Sequence, residues 1–377
     1  MSVERAASIA DLCLLARRRM PRFAFDFIDG GAEDETNLRK NRTAFEAIEI
    51  LPRYLVNVAP RSTEVRLFNK KYAMPFGIAP MGFLNMAWPG ADLMMAKLAA
   101  TKRIPHVIST ASSTPLEQLA EAADGYAWFQ FYPTKNEAIY HGLLQRAEAV
   151  GCEVLVVTVD VPAPGKRDRD IRNRLEVPFR ITPRIFADLA LHPCWSLASL
   201  RAGAPDLANI LPYKDAGAQT LAAMQANLIS GEFDWDALQR LRDRWHGKLL
   251  LKGILHPEDA SMAVHAGCDG VIVSNHGGRQ VSYGPAAIAA LPAVVRAVEG
   301  AIPILLDSGI RRGADIIRAK ALGAEFVFAG RPFAYAAGAG GSKGCERVFA
   351  ILAQELYHAL GQIGCTEFTA VDASMLA

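Results

Sequence analysis

Eight short apolar runs recur along the chain, and helical patterns stand between them. Most of the runs are rich in β-branched or aromatic residues, and they lack alternating polar positions, which is typical of parallel strands covered on both faces. The runs are "FGIAP" ending at Pro80, "HVIST" at Thr110, "AWFQFY" at Tyr132, "VLVVTVD" at Asp160, "LLLKG" at Gly253, "GVIVSN" at Asn275, "PILLDSG" at Gly309 and "EFVFAGR" at Arg331. Eight strands alternating with helices can close a barrel, and a doubly wound open sheet is the alternative. We predict an α/β fold of the (β/α)8 TIM barrel type.

Two long segments fall outside this alternation. Residues 1–70 precede the first strand and are predicted to form an N-terminal helical cap. Residues 162–247 separate the fourth strand from the fifth, and connections of this length are rare unless they have a function. We expect a single domain over residues 1–377, in which 162–247 is a long insertion after strand 4.

The middle of the insertion, residues 180–215, mixes large apolar side chains with scattered arginines. Its sequence includes "RIFADLALHPCWSLASLRAGAPDLANILPY", with Phe186 and Trp195. Two interpretations stay open for this segment. It makes peripheral contact with the inner face of the cell membrane, or it serves as a lid or an oligomer contact.

Charge and cysteine content narrow the range of partners and locations. The formal net charge of the 377 residues is +2, which gives no electrostatic reason to expect a nucleic acid as partner. The six cysteines lie far apart and form no C-x-x-C pair, so we expect neither a structural metal nor a disulfide framework. Residues 1–20 lack the long apolar region of a signal peptide. A reducing, cytoplasmic location fits these features.

Polar residues and glycines follow the predicted strands, where the side chains of a barrel meet over one mouth. These residues are Gly82, Ser109, Gln130, Tyr132, Thr158, Asp160, Lys252, Ser274, His276, Arg279, Asp307, Arg311, Gly330 and Arg331. Taken alone, a histidine at a strand end is more often a hydrogen-bonded packing residue. The convergence of a histidine, aspartates, a tyrosine and several cations on one rim favours a catalytic site.

The last two barrel units have the composition of a phosphate site. "DSGIRRG" (307–313) and "AGRPF" (329–333) place glycines and arginines after successive strands, where barrels often bind phosphate on backbone N–H groups. Ordinary turn glycines with solvated arginines are the alternative. No G-x-G-x-x-G follows the first strand, which disfavours a Rossmann nicotinamide site.

Lys252 is the one charged residue in an otherwise all-leucine run. It could act as a Schiff-base nucleophile, or it could offset negative charge on a cofactor ring. A lysine whose ammonium group reaches solvent beyond the rim is the third interpretation.

The motifs taken together resemble one enzyme family. "GGAEDE" (30–35), "WFQFY" (128–132), "TVD" (158–160), "RDRDIRNR" (167–174), "LLKG" (250–253), "VSNHGGRQ" (273–280), "DSGIRRGADI" (307–316) and "GRP" (330–332) occur in the order found in FMN-dependent α-hydroxy-acid dehydrogenases and oxidases. The resemblance runs nearly from end to end. Within the family, "LHPCWSL", "PDLAN", Gly82 and the C-terminal "IGC" are most similar to members that oxidise mandelate.

The resemblance implies roles for the catalytic and substrate-binding residues. His276 would take a proton from the substrate, and Asp160 would orient His276 and stabilise its positive form. Arg279 would bind the substrate carboxylate with Arg167 as a second positive charge, and Tyr132 would hydrogen-bond the substrate oxygen. Phe27 and Gly82 would line the substrate pocket.

FMN is the implied cofactor, and Lys252 would favour its anionic reduced form. The implied FMN-binding residues are Pro80, Met81, Gly82, Ser109, Gln130, Thr158, Lys252, Ser274, Asp307, Gly309, Arg311, Gly330 and Arg331. Members of the family are commonly tetramers, so the resemblance also implies a homo-oligomer.

Several positions around the pocket bear on substrate and acceptor. Phe27 stands where the family usually has a tyrosine, so one hydrogen bond to a carboxylate, worth about 1.5–3 kcal/mol, is missing unless another donor replaces it. Met81 stands where threonine is common. Gly82 is often alanine in the oxidases, which favours a dehydrogenase that passes electrons to a quinone or another acceptor. The small Ala111 leaves room for an aryl or long alkyl side chain.

We therefore predict an FMN-dependent (S)-2-hydroxy-acid dehydrogenase that prefers a large or aromatic side chain. The alternatives within the class are an oxidase that uses O2 and an L-lactate dehydrogenase. A Schiff-base lyase or isomerase that uses Lys252 is the alternative from another class, and a non-catalytic barrel protein is a third.

Overall fold

The central element of the fold is a closed eight-stranded parallel barrel. The computed structural model describes residues 1–175, 181–216 and 231–377. The barrel strands are β3 (Phe76–Ile78), β4 (His106–Ser109), β5 (Ala127–Phe131), β6 (Val154–Thr158), β7 (Lys248–Ile254), β8 (Gly270–Val273), β9 (Ile304–Leu306) and β10 (Phe326–Ala329). Each strand pairs with the next in sequence, and β10 pairs with β3 to close the ring. The predicted (β/α)8 TIM barrel is confirmed, and every predicted run overlaps one of its strands.

The barrel interior is filled by large apolar side chains, which explains why its strands show no alternation. Trp128, Phe326 and Phe328 pack there with Leu250 and Ile272, and all five are at most 3% exposed. Helices cover the outer face, so both sides of each strand are buried.

A short antiparallel hairpin belongs to this interior cluster and was not expected in a helical cap. Strands β1 (Val65–Leu67) and β2 (Lys70–Tyr72) pair around a turn at Phe68 and Asn69, both of which have positive φ. Val65, Leu67 and Tyr72 pack against the barrel interior. The predicted cap over 1–70 is therefore helical only in its first part.

The helices are numbered in order through the described residues. They are α1 (Ile9–Arg19), α2 (Arg22–Asp29), α3 (Thr36–Glu46), α4 (Ala91–Lys102), α5 (Leu116–Ala122), α6 (Glu137–Ala149), α7 (Asp168–Arg172), α8 (Pro183–Leu191), α9 (Pro193–Ala202), α10 (Trp235–Arg244), α11 (Pro257–His265), α12 (Ala287–Val298), α13 (Gly313–Ala321), α14 (Arg331–Gly340) and α15 (Ser342–Gln362). α1–α3 precede the barrel, and α7–α10 lie between β6 and β7.

Helices α8 and α9 form the middle of the segment 162–247. Each begins with proline at its first turn, where a missing N–H costs nothing. Residues 176–180 and 217–230, which belong to the predicted insertion, lie outside the described residues. The first residue of the candidate membrane segment 180–215 is among them.

Candidate active site

A cavity opens at the carboxyl ends of the barrel strands. It encloses about 910 Å³ of space free of protein atoms, part of it open to solvent. The predicted site residues that line it are Phe27, Pro80, Met81, Gly82, Ser109, Tyr132, Thr158, Lys252, His276, Arg279, Asp307, Gly309, Arg311, Gly330 and Arg331. Most of the residues predicted at the strand ends therefore line the same cavity.

His276 lies at the turn that follows β8 and pairs with Asp160 across the rim. Its Nδ1 is 2.9 Å from Oδ1 of Asp160, so the Nδ1–H donates to the carboxylate. His276 has φ of 56°, an uncommon conformation for a non-glycine residue, and Gly277 and Gly278 follow it with positive φ. The His276 N–H donates to Oγ of Ser274 at 3.0 Å, which helps to hold this turn. The two glycines thus serve to turn the chain and present the imidazole to the cavity.

The Asp160 carboxyl is ionised in this arrangement. Burial opposes its ionisation, but the neighbouring His276 and Lys252 lower its pKa below the usual value. Its second oxygen, Oδ2, is buried and has no hydrogen-bond partner among the described residues. A negative charge held in this way can stabilise a positive imidazolium on His276.

Lys252 is a buried cation held by two partners. Its Nζ lies 3.0 Å from Oδ2 of Asp307 and donates to Oγ of Ser274 at 2.9 Å. Burial acts to lower its pKa, but Asp307 and Asp160 outweigh burial and raise it. The lysine therefore carries its charge at neutral pH and is not the free amine that a Schiff-base nucleophile requires.

Arg279 and Arg167 form a concentration of positive charge beside the histidine. Nη1 of Arg279 donates to the carbonyls of Phe27 and Gly30, both at 2.8 Å. Burial lowers the pKa of Arg279 well below its usual value, and the charges of Arg167 and Arg331 add to this effect. Nε of Arg167 is buried without a partner among the described residues. An anion bound here would relieve both the repulsion and the unpaired donor.

Tyr132 contributes a neutral hydroxyl to the cavity. Burial, followed by the charge of Asp160, raises its pKa to about 12. The phenol is therefore protonated at neutral pH and can donate a hydrogen bond to an oxygen atom of a ligand.

The opposite side of the cavity is apolar and closely packed. A methyl group at Gly82 would lie 2.8 Å from Cβ of Ala111, so only glycine fits there without a shift. The rings of Phe27 and Phe83 meet edge to face at 6.3 Å between centroids. The Arg279 guanidinium lies 5.3 Å from the centroid of the Phe27 ring. Because Phe27 lacks the hydroxyl of the tyrosine that is usual at this position in the family, it contacts Arg279 through its ring and its backbone carbonyl.

The ends of β4, β5 and β6 present polar groups that suit a flavin. The Ser109 hydroxyl donates to Oε1 of Gln130 at 3.1 Å. Nε2 of Gln130 and Oγ1 of Thr158 are buried and have no partner among the described residues. Unpaired buried donors of this kind are costly unless a ligand or water completes them. Together with buried Lys252, these groups fit the heteroatom edge of an isoalloxazine ring.

A phosphate site was predicted at the last two barrel units, and the helix N-termini that follow their strands differ in the structure. At α13, the N–H groups of Arg311 and Arg312 donate to Oδ2 of Asp315 at 2.8 and 3.0 Å. The N-terminus of α14 borders the cavity at Gly330 and Arg331. The side chains of Arg311 and Arg331 flank the same end of the cavity, which fits a phosphate group.

The Arg331 side chain also joins three segments around the cavity. Its guanidinium donates to the carbonyls of Ile28 at 3.1 Å, Gly277 at 2.8 Å and Gly30 at 2.7 Å. The arginine therefore ties the N-terminal residues to the turn that carries His276.

Four predicted residues lie behind the cavity surface. Asp160 contacts His276, Gln130 contacts Ser109 and Ser274 contacts Lys252, and these three partners line the cavity. The fourth residue is Arg167, which has Asp170 as an ionic partner at 3.5 Å. Further lining residues that the sequence did not single out are Ile28, Ala79, Leu84, Gly277, Ser308, Ile310, Phe328, Ala329 and Ala334. Of these, Ser308 had a recognisable signal, since it stands between two predicted residues in "DSG".

Comparison with known proteins identifies close relatives of this chain. A family model described as FMN-dependent dehydrogenase matches residues 16–377. An (S)-mandelate dehydrogenase of Pseudomonas putida is 39% identical over 98% of this chain and 93% of its own length. An L-lactate dehydrogenase of Pseudomonas syringae pv. syringae is 40% identical over 98% of both chains.

A solved structure extends this similarity to the whole fold. It is described as the monotopic membrane protein (S)-mandelate dehydrogenase, and it is 38% identical to this chain. The alignment covers 99% of both chains with a TM-score of 0.95. The similarity therefore extends beyond the barrel to the rest of the described chain.

Proposed function

The chain belongs to the FMN-dependent dehydrogenase family, and on that premise we propose that it oxidises an (S)-2-hydroxy acid with an aromatic or other large side chain to the 2-oxo acid. The observation that carries this proposal is the position of the His276–Asp160 pair beside buried Arg279, with an apolar wall opposite. Bound FMN supplies the acceptor for the two electrons that leave the substrate.

The proposed mechanism assigns one task to each polar residue. Arg279, with Arg167, binds the substrate carboxylate and so fixes which face of the α-carbon is presented. His276 takes the substrate proton, either from the α-carbon or from the hydroxyl as hydride leaves. Asp160 stabilises the resulting imidazolium, and Tyr132 donates a hydrogen bond to the substrate oxygen.

FMN would be held by residues around the strand ends. Ser109, Gln130, Thr158, Lys252 and Ser274 would contact the ring and the upper ribityl chain. The ribityl tail and phosphate would be held by Asp307, Gly309, Arg311, Gly330 and Arg331, and Pro80, Met81 and Gly82 would line the remaining side.

A substrate panel tests the proposal directly. The holoenzyme is mixed without oxygen with (S)-mandelate, (S)-lactate, (S)-2-hydroxyoctanoate and (R)-mandelate, and loss of visible flavin absorbance is followed. We expect fast reduction by (S)-mandelate and none by its enantiomer. A higher kcat/KM with (S)-lactate would instead favour the second candidate, an L-lactate dehydrogenase, which the 40% identical relative supports.

The Schiff-base alternative makes an opposite prediction. The Lys252–Asp307 pair keeps the lysine charged, so borohydride added with substrate should label nothing. Covalent trapping of a substrate carbon on Lys252 would overturn the proposed dehydrogenase.

We also propose that helices α8 and α9 contact the inner face of the cell membrane and that a membrane quinone takes the electrons. Leu200, Leu191 and Phe186 on these helices are 80%, 79% and 67% exposed, whereas Trp195 is buried and donates from Nε1 to the Met86 carbonyl at 3.1 Å. Exposed apolar side chains on one segment favour an interfacial contact. Among the described residues, no helix has the length and apolar character needed to cross a membrane.

Vesicle sedimentation and acceptor kinetics test the membrane proposal. A triple variant (Phe186→Ser, Leu191→Ser, Leu200→Ser) should no longer sediment with phospholipid vesicles, whereas Tyr283→Ser, another exposed apolar position, should sediment as the parent does. Turnover with a quinone analogue should exceed turnover with O2 in both variants. Equal rates with O2 would indicate an oxidase.

A homo-oligomer, with the tetramer as the expected form, is proposed from the family resemblance. Leu55, Tyr54 and Leu51 lie in a loop outside the helices and strands and are strongly exposed, which supports a protein contact there. Light scattering on the parent and on Leu55→Ser would measure the assembly, and a monomeric parent would contradict it.

A further inference from the structure

Asn209 is a fully buried polar residue that the proposed mechanism does not use. It lies beyond α9, in the part of the chain that returns from the exposed helices toward the barrel, and it is 0% exposed. Its neighbours Leu207 and Ile210 are also buried, so this short stretch is packed into the protein rather than laid on its surface. A buried amide side chain requires specific hydrogen-bond partners.

The Asn209 side chain donates to the end of barrel strand β4. Its Nδ2 lies 3.3 Å from the Ser109 carbonyl and 3.5 Å from the Thr110 carbonyl. A neighbouring backbone bond runs in the same direction, from the Ala208 N–H to the Ser112 carbonyl at 3.1 Å. The returning segment is thereby fastened to the loop that leaves β4.

The acceptor side of Asn209 is fixed by two other helices. Its Oδ1 accepts from the N–H of Leu116, the first residue of α5, at 2.8 Å. It also accepts from Nη2 of Arg146 on α6 at 3.1 Å, while Nη1 of Arg146 donates to the Asn209 carbonyl at 2.8 Å. Because these donors hold the oxygen, the amide nitrogen must face β4.

The backbone that Asn209 holds supports two walls of the cavity. The Ser109 hydroxyl, at the predicted flavin edge, accepts from the Ala111 N–H at 3.1 Å. The Ala111 carbonyl accepts from the Phe83 N–H at 3.0 Å, and Ala111 is the residue that meets Gly82. A shift of the β4 end would therefore displace both a flavin contact and the apolar wall.

We propose that Asn209 is a positioning residue through which the segment after α9 holds the β4 end in the geometry that FMN and substrate require. The proposal rests on the proposed function only in taking the Ser109 side of the cavity as the FMN site. The part of the chain that includes the exposed helices α8 and α9 thus also supports the Ser109 side of the active site.

The variant Asn209→Asp isolates the contact with β4. A carboxylate retains both acceptor contacts, with Leu116 and Arg146, but it has no N–H to donate to the carbonyls of Ser109 and Thr110. We expect FMN dissociation from the holoenzyme, followed by flavin fluorescence on dilution, to increase about tenfold, with an altered visible circular dichroism of the bound flavin.

Asp234→Ala provides the matched control in the same stretch of the chain. Asp234 caps α10 by accepting from the Ala237 N–H at 2.8 Å, so its loss lowers stability without touching β4. We expect a lower Tm for this control with unchanged FMN affinity and flavin circular dichroism. Asn209→Asp with the FMN affinity and flavin spectrum of the parent would overturn the proposal, whatever its Tm.

Arg146→Lys provides a second test if the first variant does not fold. A lysine keeps the positive charge near Glu117 but cannot bond both oxygens of Asn209 in the way the guanidinium does. We expect a smaller change in FMN dissociation in the same direction, and no change would overturn the proposal. These measurements need no substrate, so failure of every 2-hydroxy acid to reduce the flavin would contradict the proposed function alone.

Discussion

Two walls of the same cavity are stabilised by different kinds of interaction. The charged wall consists of His276, Lys252, Asp307 and Arg279, with Asp160 behind His276, and each side chain is fixed by a hydrogen bond or ion pair of 2.8–3.0 Å. The apolar wall consists of Phe27, Met81 and Gly82, with Phe83 and Ala111 packed against Phe27 and Gly82, and van der Waals contacts decide its shape. In the proposed function, bond breaking depends on the charged wall and substrate choice depends on the apolar wall.

Because the interactions differ, each wall tolerates different substitutions. Removing one member of a buried charge pair leaves its partner uncompensated, which is costly regardless of size. An added or removed methyl group on the apolar wall changes volume, and such changes affect large and small substrates unequally. Substitutions can therefore separate the two roles.

The largest effect is expected for His276→Ala. Without a base, flavin reduction by every 2-hydroxy acid should slow by about 10³-fold, while FMN remains bound. Stopped-flow absorbance under anaerobic conditions measures the reduction. His265→Ala, which removes an exposed histidine on α11, should react as the parent does. Parent-like reduction in His276→Ala would exclude this residue as the base.

Asp160→Asn should have the next largest effect. The amide can still accept from the His276 Nδ1–H, but it lacks the charge that stabilises the imidazolium. We expect reduction to slow by about a hundredfold with little change in substrate KM. A change confined to KM would show that Asp160 acts on substrate binding instead.

Gly82→Ala should act on substrate choice. Its methyl group would lie 2.8 Å from Cβ of Ala111, so the loop must shift into the pocket. We expect kcat/KM to fall about tenfold for (S)-mandelate and less for (S)-lactate. The double variant Gly82→Ala, Ala111→Gly removes the close contact and should recover part of the loss. Lack of any recovery would contradict the steric explanation.

Phe27→Tyr should produce a smaller gain. The ring lies against Arg279, so a hydroxyl can reach the region where the substrate carboxylate is proposed to bind. We expect the KM for (S)-lactate to fall about fivefold because one hydrogen bond to a charged group is added. A higher KM for both substrates would indicate that the hydroxyl is buried without a partner.

The smallest effect concerns stability and involves Asp92, a buried residue behind the apolar wall. Its Oδ2 accepts from the Ser113 N–H at 2.9 Å, and burial raises its pKa to about 7. Above about pH 4 the unfolded chain loses this proton while the folded protein keeps it, so stability falls as pH rises toward 7. Asp92→Asn removes that fall.

Thermal unfolding between about pH 5 and pH 7 measures the Asp92 effect. The Tm of Asp92→Asn relative to the parent should rise by a few degrees, about 2–4 °C, across this range. Parallel Tm curves for the two proteins would show that the Asp92 pKa is close to that of the unfolded chain.

The charged wall was largely predictable from sequence because its signal is local. A polar residue directly after an apolar run, as at Lys252 or His276, must lie at the strand end once the barrel is assumed. The pairing of His276 with Asp160 followed from the family resemblance, and the structure brings the two side chains to 2.9 Å.

The apolar wall and its supports were less predictable because they depend on which loops meet. The Gly82–Ala111 contact joins two loops. Asn209 contacts the end of β4 although it follows Ser109 by 100 positions in the chain. The β1–β2 hairpin was missed because strands of three residues are too short to show a period. Composition also could not tell that Trp195 faces inward while Leu200 faces solvent.

One ratio tests the division of roles most directly. Anaerobic flavin reduction with (S)-mandelate and with (S)-lactate gives a ratio of kcat/KM values for the parent, His276→Ala and Gly82→Ala. We predict that His276→Ala lowers both values and leaves their ratio unchanged, whereas Gly82→Ala changes the ratio. A ratio that changes with His276→Ala and stays constant with Gly82→Ala would contradict this division of roles between the two walls.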